Sequence, residues 1–365
     1  MEVSARFRDQ RLAERLAKKI RALEPREPVR ICHVCGTHEW TISHYGIRSL
    51  LPDSVEVVAG PGCPVCITPA SLIDAAVELA LSGVVVATYG DMFRAPGARA
   101  PSLYQARAEG ADVRVVYSIT DAVKMAREEK DREFVFFAIG FETTAPLTAV
   151  EVLRRPPDNL SFLVAHRLIP PAMEALANME DLAIGGFIAP GHVSTIIGAE
   201  PYAIFPERYN MPVVIAGFEP LDVLMAIYML LKQIKDGVAK LENEYTRAVR
   251  WRGNERAKEF MRKAFDIADG AWRGLGVIPS SALELKEGLR KHDAIERYGL
   301  NVSLDGQGDI PPGCRCHEIM VGRAYPTDCP LFLRACRPNR PIGPCMVSVE
   351  GTCRIWALEG GWFKG

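Results

Sequence analysis

The sequence has almost no net charge: 44 lysines and arginines stand against 45 aspartates and glutamates. Such a balance supplies no overall field to draw in nucleic acid or an anionic membrane, so partners are expected to be recognised by local shape and chemistry. Long hydrophobic runs are missing as well. The most apolar later stretch, 221–231, is too short and is interrupted by Asp222, which argues against a bilayer span. The first 25 residues hold no apolar run of signal-peptide length and carry Glu2, Asp9 and Glu14 among their arginines. Secretory and transit peptides are therefore poor readings, and a cytoplasmic location is expected. The helical spacing of Phe7, Leu12, Leu16, Ile20 and Leu23 predicts an amphipathic helix instead. No Walker loop, GxSxG or HExxH occurs, so nucleotide hydrolysis, serine esterase and zinc peptidase chemistry lack their residues.

Cysteine is absent from 67 to 313, yet the chain has ten: four lie before that gap and six after it. Without a secretory leader, clustered cysteines in a chain this long point to metal or redox chemistry in a reducing compartment. The 365 residues suffice for two or three domains, and 48% hydrophobic with 24% charged residues is an ordinary globular balance.

From 29 to 236, short β-branched runs alternate with helical patterns, the signature of βαβ units and parallel sheets. Strands are predicted at 29–33, 55–59, 83–87, 113–117, 134–139, 161–165, 186–189 and 213–216. Unusual polar segments follow them directly: CGTHEW, GPGCPVC, TYGDMF, GFETTAP, AHRL, PGHVS and GFEP. Crevices in open α/β sheets lie outside the carboxyl ends of the strands, so these loops are expected to converge on one or two clefts. AIGFETTAP and IAGFEP echo one another, which suggests two similar Rossmann-like α/β domains facing a cleft, 29–130 and 131–236. Beyond 236 the pattern reads as charged helix to about 271 and then as proline- and glycine-rich loop. Residues 306–313 form a turn-rich approach to the cysteines. Residues 1–28 and 237–365 are assigned to a helical and loop-rich, irregular iron–sulfur domain.

The tail cysteines Cys314, Cys316, Cys329, Cys336, Cys345 and Cys353 are spaced C-x-C-x12-C-x6-C-x8-C-x7-C. Structural zinc sites favour paired C-x2-C knuckles, which this segment lacks. Iron–sulfur clusters take four thiolates at irregular spacing with proline nearby, so a [4Fe-4S] cluster is expected, with two cysteines to spare. Cys63 and Cys66 form a C-x-x-C after a strand and before a helix expected to start near Thr68, with Thr68 as its cap and Pro69 in its first turn. A dithiol at a helix N-terminus has its thiolate stabilised, which predicts redox activity. Cys35 reads as a single reactive or metal-binding thiolate, with His38 tuning or joining it, while Cys32 falls inside a strand and is expected to be inert. A four-thiolate zinc ribbon from Cys32, Cys35, Cys63 and Cys66 is the less favoured alternative. His192 in PGHVS and Glu142 in GFETT are weaker candidates, Glu142 either capping the next helix or facing the cleft. His44 and His166 are taken as structural.

CGTHE at 35–39, GPGCPVC at 60–66, GFETTAP at 140–146, PGHVS at 190–194 and the six-cysteine tail, in that order, resemble the HypD family of [NiFe]-hydrogenase maturation proteins. The resemblance implies two α/β domains and a third carrying a [4Fe-4S] cluster. It also implies a scaffold, working with a HypC-like small chaperone, on which iron receives carbon monoxide and two cyanides, the cyanide coming from a HypE-like partner. Carried onto this sequence, Cys35 binds the iron of the Fe(CN)2CO group with His38 close by, and Cys63 and Cys66 are the cleft dithiol. The tail is similar in logic to ferredoxin:thioredoxin reductase. On that pattern Cys314, Cys329, Cys336 and Cys353 are the cluster ligands, and Cys316 and Cys345 a second dithiol. The expected role is an assembly scaffold with redox activity rather than a simple turnover enzyme. The competing readings are a self-contained iron–sulfur thiol/disulfide oxidoreductase and a zinc-stabilised interaction module.

Overall fold

Apolar β-branched runs, each followed by a helix, build parallel sheets here as the alternation predicts. The computed structural model describes residues 7–303, 305–306 and 308–360. The parts of the N-terminal segment before residue 7, of the 306–313 turn at 307 and of the tail after 360 lie outside the described residues. The strands are β1 (Val29–His33), β2 (Val55–Ala59), β3 (Val85–Thr88), β4 (Val113–Val115), β5 (Phe134–Gly140), β6 (Leu160–His166), β7 (Ile184–Pro190), β8 (Val213–Ala216), β9 (Leu241–Asn243), β10 (Phe265–Trp272) and β11 (Gly276–Leu285).

The first sheet runs β2-β1-β7-β8-β9 and the second β4-β3-β5-β6. Every ladder in both is parallel. All seven residues of β5 are buried, as a strand covered on both faces requires. The two sheets are therefore the expected pair of α/β units, but they are interleaved. The chain leaves the first sheet after β2, builds the whole second sheet, and returns at β7. Division into consecutive blocks at 130 misses this, because strand patterning marks where strands lie and says nothing of which strands pair.

The amphipathic N-terminal helix is present as Gln10–Arg21, capped by Asp9, whose side chain accepts from the Leu12 amide. Its Leu16 and Ile20 enter the core that the helix Pro220–Lys235 forms on the first sheet with Val223, Leu224 and Ile227. Residues 10–21 thus belong with that sheet and not with the tail, as the division above had placed them.

A second difference concerns 265–285. The charged helix ends at Ala264, and an antiparallel hairpin, β10 with β11, replaces the helix expected to reach 271. Gly270, Gly274 and Gly276 weaken a helix here, while Phe265, Leu283 and Leu285 gain burial against the second sheet. The tail is built from short helices, Cys316–Ile319, Pro344–Val347 and Thr352–Glu359, joined by turns. It is not an appendage: Cys316, Cys345, Met346 and Trp356 share one core with Val86 and Phe137 of the second sheet, Phe187 of the first and Trp272 of the hairpin. Among the described residues no helix is long and apolar enough to cross a membrane.

Candidate functional site

In the order of the first sheet, GPGCPVC, CGTHEW, PGHVS and GFEP stand side by side at the carboxyl ends of β2, β1, β7 and β8. Cys32 is buried in β1, and burial pushes its thiol up to about 12 despite Arg30. It lies inside the strand, as expected. Three residues on, Cys35 occupies the position before the helix Gly36–His44. The GPGCPVC loop passes so close that a Cβ on Gly62 would lie 2.3 Å from the Cys35 nitrogen, and the Gly36 amide donates to the Gly62 carbonyl at 3.4 Å. On the other side the tail closes in: a Cβ on Gly36 would meet Glu350 at 2.5 Å.

A narrow cleft results, lined by Cys35, Cys63, Cys66, Cys345, His33 and Glu350 among others. Cys63 and Cys66 are joined as a disulfide. Cys63 itself precedes a one-turn helix, Pro64–Ile67, and its sulfur accepts from the Cys66 amide at 3.2 Å. The next helix starts at Ala70, so Thr68 is not its cap. The Thr68 hydroxyl donates back to the Pro64 carbonyl, and Pro69 takes the capping position. Burial first, and then Glu350, push the Cys35 thiol up to about 11, while the Thr37 and His38 amides at the helix start work against them. Cys35 is therefore a protonated thiol at neutral pH, and a metal binding it must displace that proton.

His38 is buried, and its Nε2 donates to the Gly217 carbonyl at 2.9 Å. Burial, with His33 adding to it, pushes its imidazole down to about 3. It stacks on Phe218, whose ring is also stacked by the exposed His192 at 3.8 Å. Two histidines singled out by motif thus meet around one phenyl ring beside the Cys35 helix. Neither histidine lines the cleft itself.

Glu142 does not line it either. Its carboxylate oxygens accept from the Ile169 amide at 3.1 and 3.3 Å, capping the helix Ile169–Ala177 rather than the helix that follows its own motif. Burial pushes this carboxyl up to about 8 against those amide bonds. Because the folded pKa lies above the unfolded one, folding favours the protonated form. The stabilisation is complete below the ordinary glutamate range and is lost as pH rises from there towards 8. Glu142→Gln is accordingly expected to match the wild type near pH 4 and to exceed it by about 1–3 kcal/mol at pH 8. Thermal melts of both proteins at the two pH values check this; parallel pH profiles would refute it.

The tail brings its six cysteines together. Cys314 is half-buried and the other five are buried. Cys314 and Cys316, Cys316 and Cys345, and Cys345 and Cys353 are neighbouring thiol pairs, each thiol acting on the next. The Cys336 sulfur accepts from the Ile342 amide at 3.3 Å, and the charges of Cys314 and Cys329 act on it. Cys316 and Cys345 are thus neighbours, and Cys345 also reaches the cleft of Cys35. Among the described residues no group of three or more His, Cys, Asp or Glu side chains is placed so that it could hold a metal ion.

Sequence reasoning missed several residues. Glu350 is pushed up to about 7 by burial and by Asp91. Asp91, from the TYGDMF loop, accepts from the Ser348 hydroxyl and the Val349 amide and so pins the tail loop over Cys35. Glu39, inside CGTHE, is also buried and bound by five donors: the Ser43 hydroxyl, both Arg48 Nη atoms, Trp356 Nε1 and His33 Nε2. Burial would raise its carboxyl, but Arg48 and His33 hold it well below the usual range. Its place inside CGTHE, a motif already singled out, was the available signal, since a charge buried there needs partners.

The sequence model of the family described as "HypD: Hydrogenase formation hypA family" matches residues 11–359. A Methanocaldococcus jannaschii protein named for hydrogenase expression/formation is 49% identical over 352 residues, covering 95% of this chain and 97% of its own. Hydrogenase maturation factor HypD2 of Bradyrhizobium diazoefficiens is 46% identical, covering 97% and 95% of the two chains. Hydrogenase maturation factor HypD of Azotobacter vinelandii is 45% identical, covering 97% and 96%.

Proposed function

The chain belongs to the HypD family of hydrogenase maturation factors, and from that premise we propose that it is a redox-active scaffold for assembling the Fe(CN)2CO group of [NiFe]-hydrogenases. Iron is the cargo, Cys35 its ligand, a HypC-like chaperone the co-scaffold and a HypE-like protein the cyanide donor, all acting in the cytoplasm. The observation that carries this reading is that Cys35, the Cys63–Cys66 disulfide and Cys345 line one cleft. A single soft thiolate at a strand end suits low-spin ferrous iron, and one protein ligand, unlike four, leaves it transferable.

The donor set of the tail fits a resident [4Fe-4S] cluster: six thiols converge, and soft sulfur ligands select iron–sulfur chemistry. Cys314, Cys329, Cys336 and Cys353 would hold it. Bound there, the cluster would supply the single electrons that return a Cys316–Cys345 disulfide to thiols. The residues themselves carry the exchange. The Cys345 sulfur attacks one sulfur of the Cys63–Cys66 disulfide, the S–S bond breaks, and the departing sulfur takes a proton. Cys316 then attacks Cys345, which releases the second cleft thiol and leaves Cys316 and Cys345 as a disulfide. Two electrons have moved from tail to cleft.

Infrared spectra and iron and sulfide analysis of anaerobically purified protein in complex with its small chaperone test the reading. Iron-bound cyanide and carbon monoxide bands, with sulfide near four per chain, are expected. Zinc without iron or sulfide would sink the cluster, and turnover of a free disulfide with no partner requirement would favour the oxidoreductase instead. Cys336→Ala is expected to bleach the brown absorption and loosen the tail. Retained colour with full sulfide would remove Cys336 from the ligand set.

A further inference from the structure

Arg273 takes part in none of these steps, although it is buried between the cleft loop and the tail. It sits at the end of β10, in the turn to β11, and is 0% exposed. Its backbone amide donates to the carbonyl of Ile67, the last residue of the one-turn helix that carries Cys66. On the other flank the turn presses on the first tail cysteines: a Cβ on Gly274 would lie 2.6 Å from the Cβ of His317. The hairpin turn is therefore wedged between the cleft disulfide and the segment holding Cys314 and Cys316.

The guanidinium is unusual in what it lacks. Nε donates to the Asp309 carbonyl at 2.6 Å and Nη1 to the Pro96 carbonyl at 2.9 Å, while Nη2 is buried without a partner. Among the described residues no carboxylate oxygen lies within ion-pair distance of it. A buried cation with a free donor is costly unless negative charge answers it. The charges that act on it are those of Cys316, Asp309, Cys314 and Cys345. Three of these four are sulfurs of the tail.

We infer that Arg273 is the fixed counter-charge of the tail's sulfur centre, a positioning residue whose free Nη2–H serves a cysteine sulfur and whose charge raises the centre's reduction potential. The inference rests on the cluster reading above. When the centre takes one electron from an external reductant such as dithionite, no bond to Arg273 forms or breaks and the guanidinium keeps its proton. The added negative charge is simply stabilised by a cation already in place. Hydrogen bonds to the sulfurs and local charge are the levers by which a protein sets such a potential.

The test is a redox titration of the full chain, purified anaerobically with its iron and sulfide, as wild type, Arg273→Met and Arg273→Lys. At a given applied potential Arg273→Met is expected to lower the ratio of reduced to oxidised centre at least tenfold, a midpoint about 59 mV more negative for a one-electron couple. Arg273→Lys, which keeps the charge, is expected to recover at least half of that shift. If Arg273→Met holds full iron and sulfide yet titrates as the wild type, the role of Arg273 is overturned and the cluster reading stands. If the wild type itself holds neither iron nor sulfide, the cluster reading falls and takes this inference with it. Should Arg273→Met lose the centre, wild-type protein grown on 15N-arginine decides. Pulsed electron paramagnetic resonance of its reduced centre is expected to show a coupled arginine nitrogen, and the absence of any such coupling would overturn the assignment.

Discussion

Cys35→Ala is expected to abolish iron delivery to a hydrogenase precursor while leaving the cluster intact. The expectation follows from where the sulfur sits. Cys35 is buried at the start of the helix Gly36–His44, enclosed by the GPGCPVC loop on one side and Glu350 on the other, and it shares its cleft with the Cys63–Cys66 disulfide and Cys345. Of the four cleft cysteines, Cys63 and Cys66 are bonded to each other, Cys345 belongs to the cysteine group of the tail, and Cys35 is the free cysteine at the strand end. Removing a metal's own ligand costs more than removing a group that merely supports one, which already weakens metal sites about 10- to 100-fold. The loss of delivery is therefore expected to exceed about 100-fold. The groups that act on the tail thiols are one another and not Cys35, so iron and sulfide content of the variant should stay at the wild-type level. Infrared spectra of the purified partner complex decide the matter. Cyanide bands of normal intensity in Cys35→Ala would remove Cys35 from the iron.

Much of this site was legible because its chemistry is local. A strand of apolar residues ending in a run such as CGTHE or GPGCPVC announces both the strand and the loop that follows it, and β1, β2 and β8 fall where the pattern put them. What stayed hidden depended on distant pairing. Nothing in β2 says that its neighbour β1 pairs on its other side with β7, some 150 residues on, so the interleaving of the two sheets could not be read. The hairpin β10–β11 was masked by the charged helix running into it, since Ala264 and Phe265 differ only in what they later pack against. Glu142 is a similar case. The motif placed it at a strand end, but the amide it caps belongs to a helix that starts 27 residues later. Glu350 and Arg273 carry no motif, Asp91 sits in TYGDMF with nothing there to mark it, and each matters through contacts made across the fold.

Glu39→Ala should be the most destabilising single change at the site, because Glu39 holds its two halves in register. Its carboxylate takes bonds from His33 in β1, Ser43 on the Cys35 helix, Arg48 beyond it and Trp356 of the helix Thr352–Glu359, which also carries Cys353. A second clasp runs beside it: Glu359 accepts from Trp40 Nε1 at 3.0 Å and from His44 Nδ1 at 2.7 Å. The helix that presents Cys35 and the helix that presents Cys353 are thus tied to each other. Cutting the buried clasp leaves the Arg48 cation, 7% exposed, without its partner. Breaking a buried pair in this way costs about 3–5 kcal/mol, which corresponds to a melting temperature lower by roughly 5–15 °C. The exposed clasp is screened by solvent, so Glu359→Ala should cost no more than about 1 kcal/mol. The pH dependence separates the two causes. Because Arg48 and His33 hold the Glu39 carboxyl below its unfolded value, its contribution is complete above the ordinary glutamate range and is lost progressively as pH falls from that range towards the depressed folded value. The gap between wild type and Glu39→Ala should therefore be widest near neutrality and narrow in acid. A constant gap from pH 7 to pH 4 would mean that packing around Trp356, and not the charge of Glu39, joins the cleft to the tail.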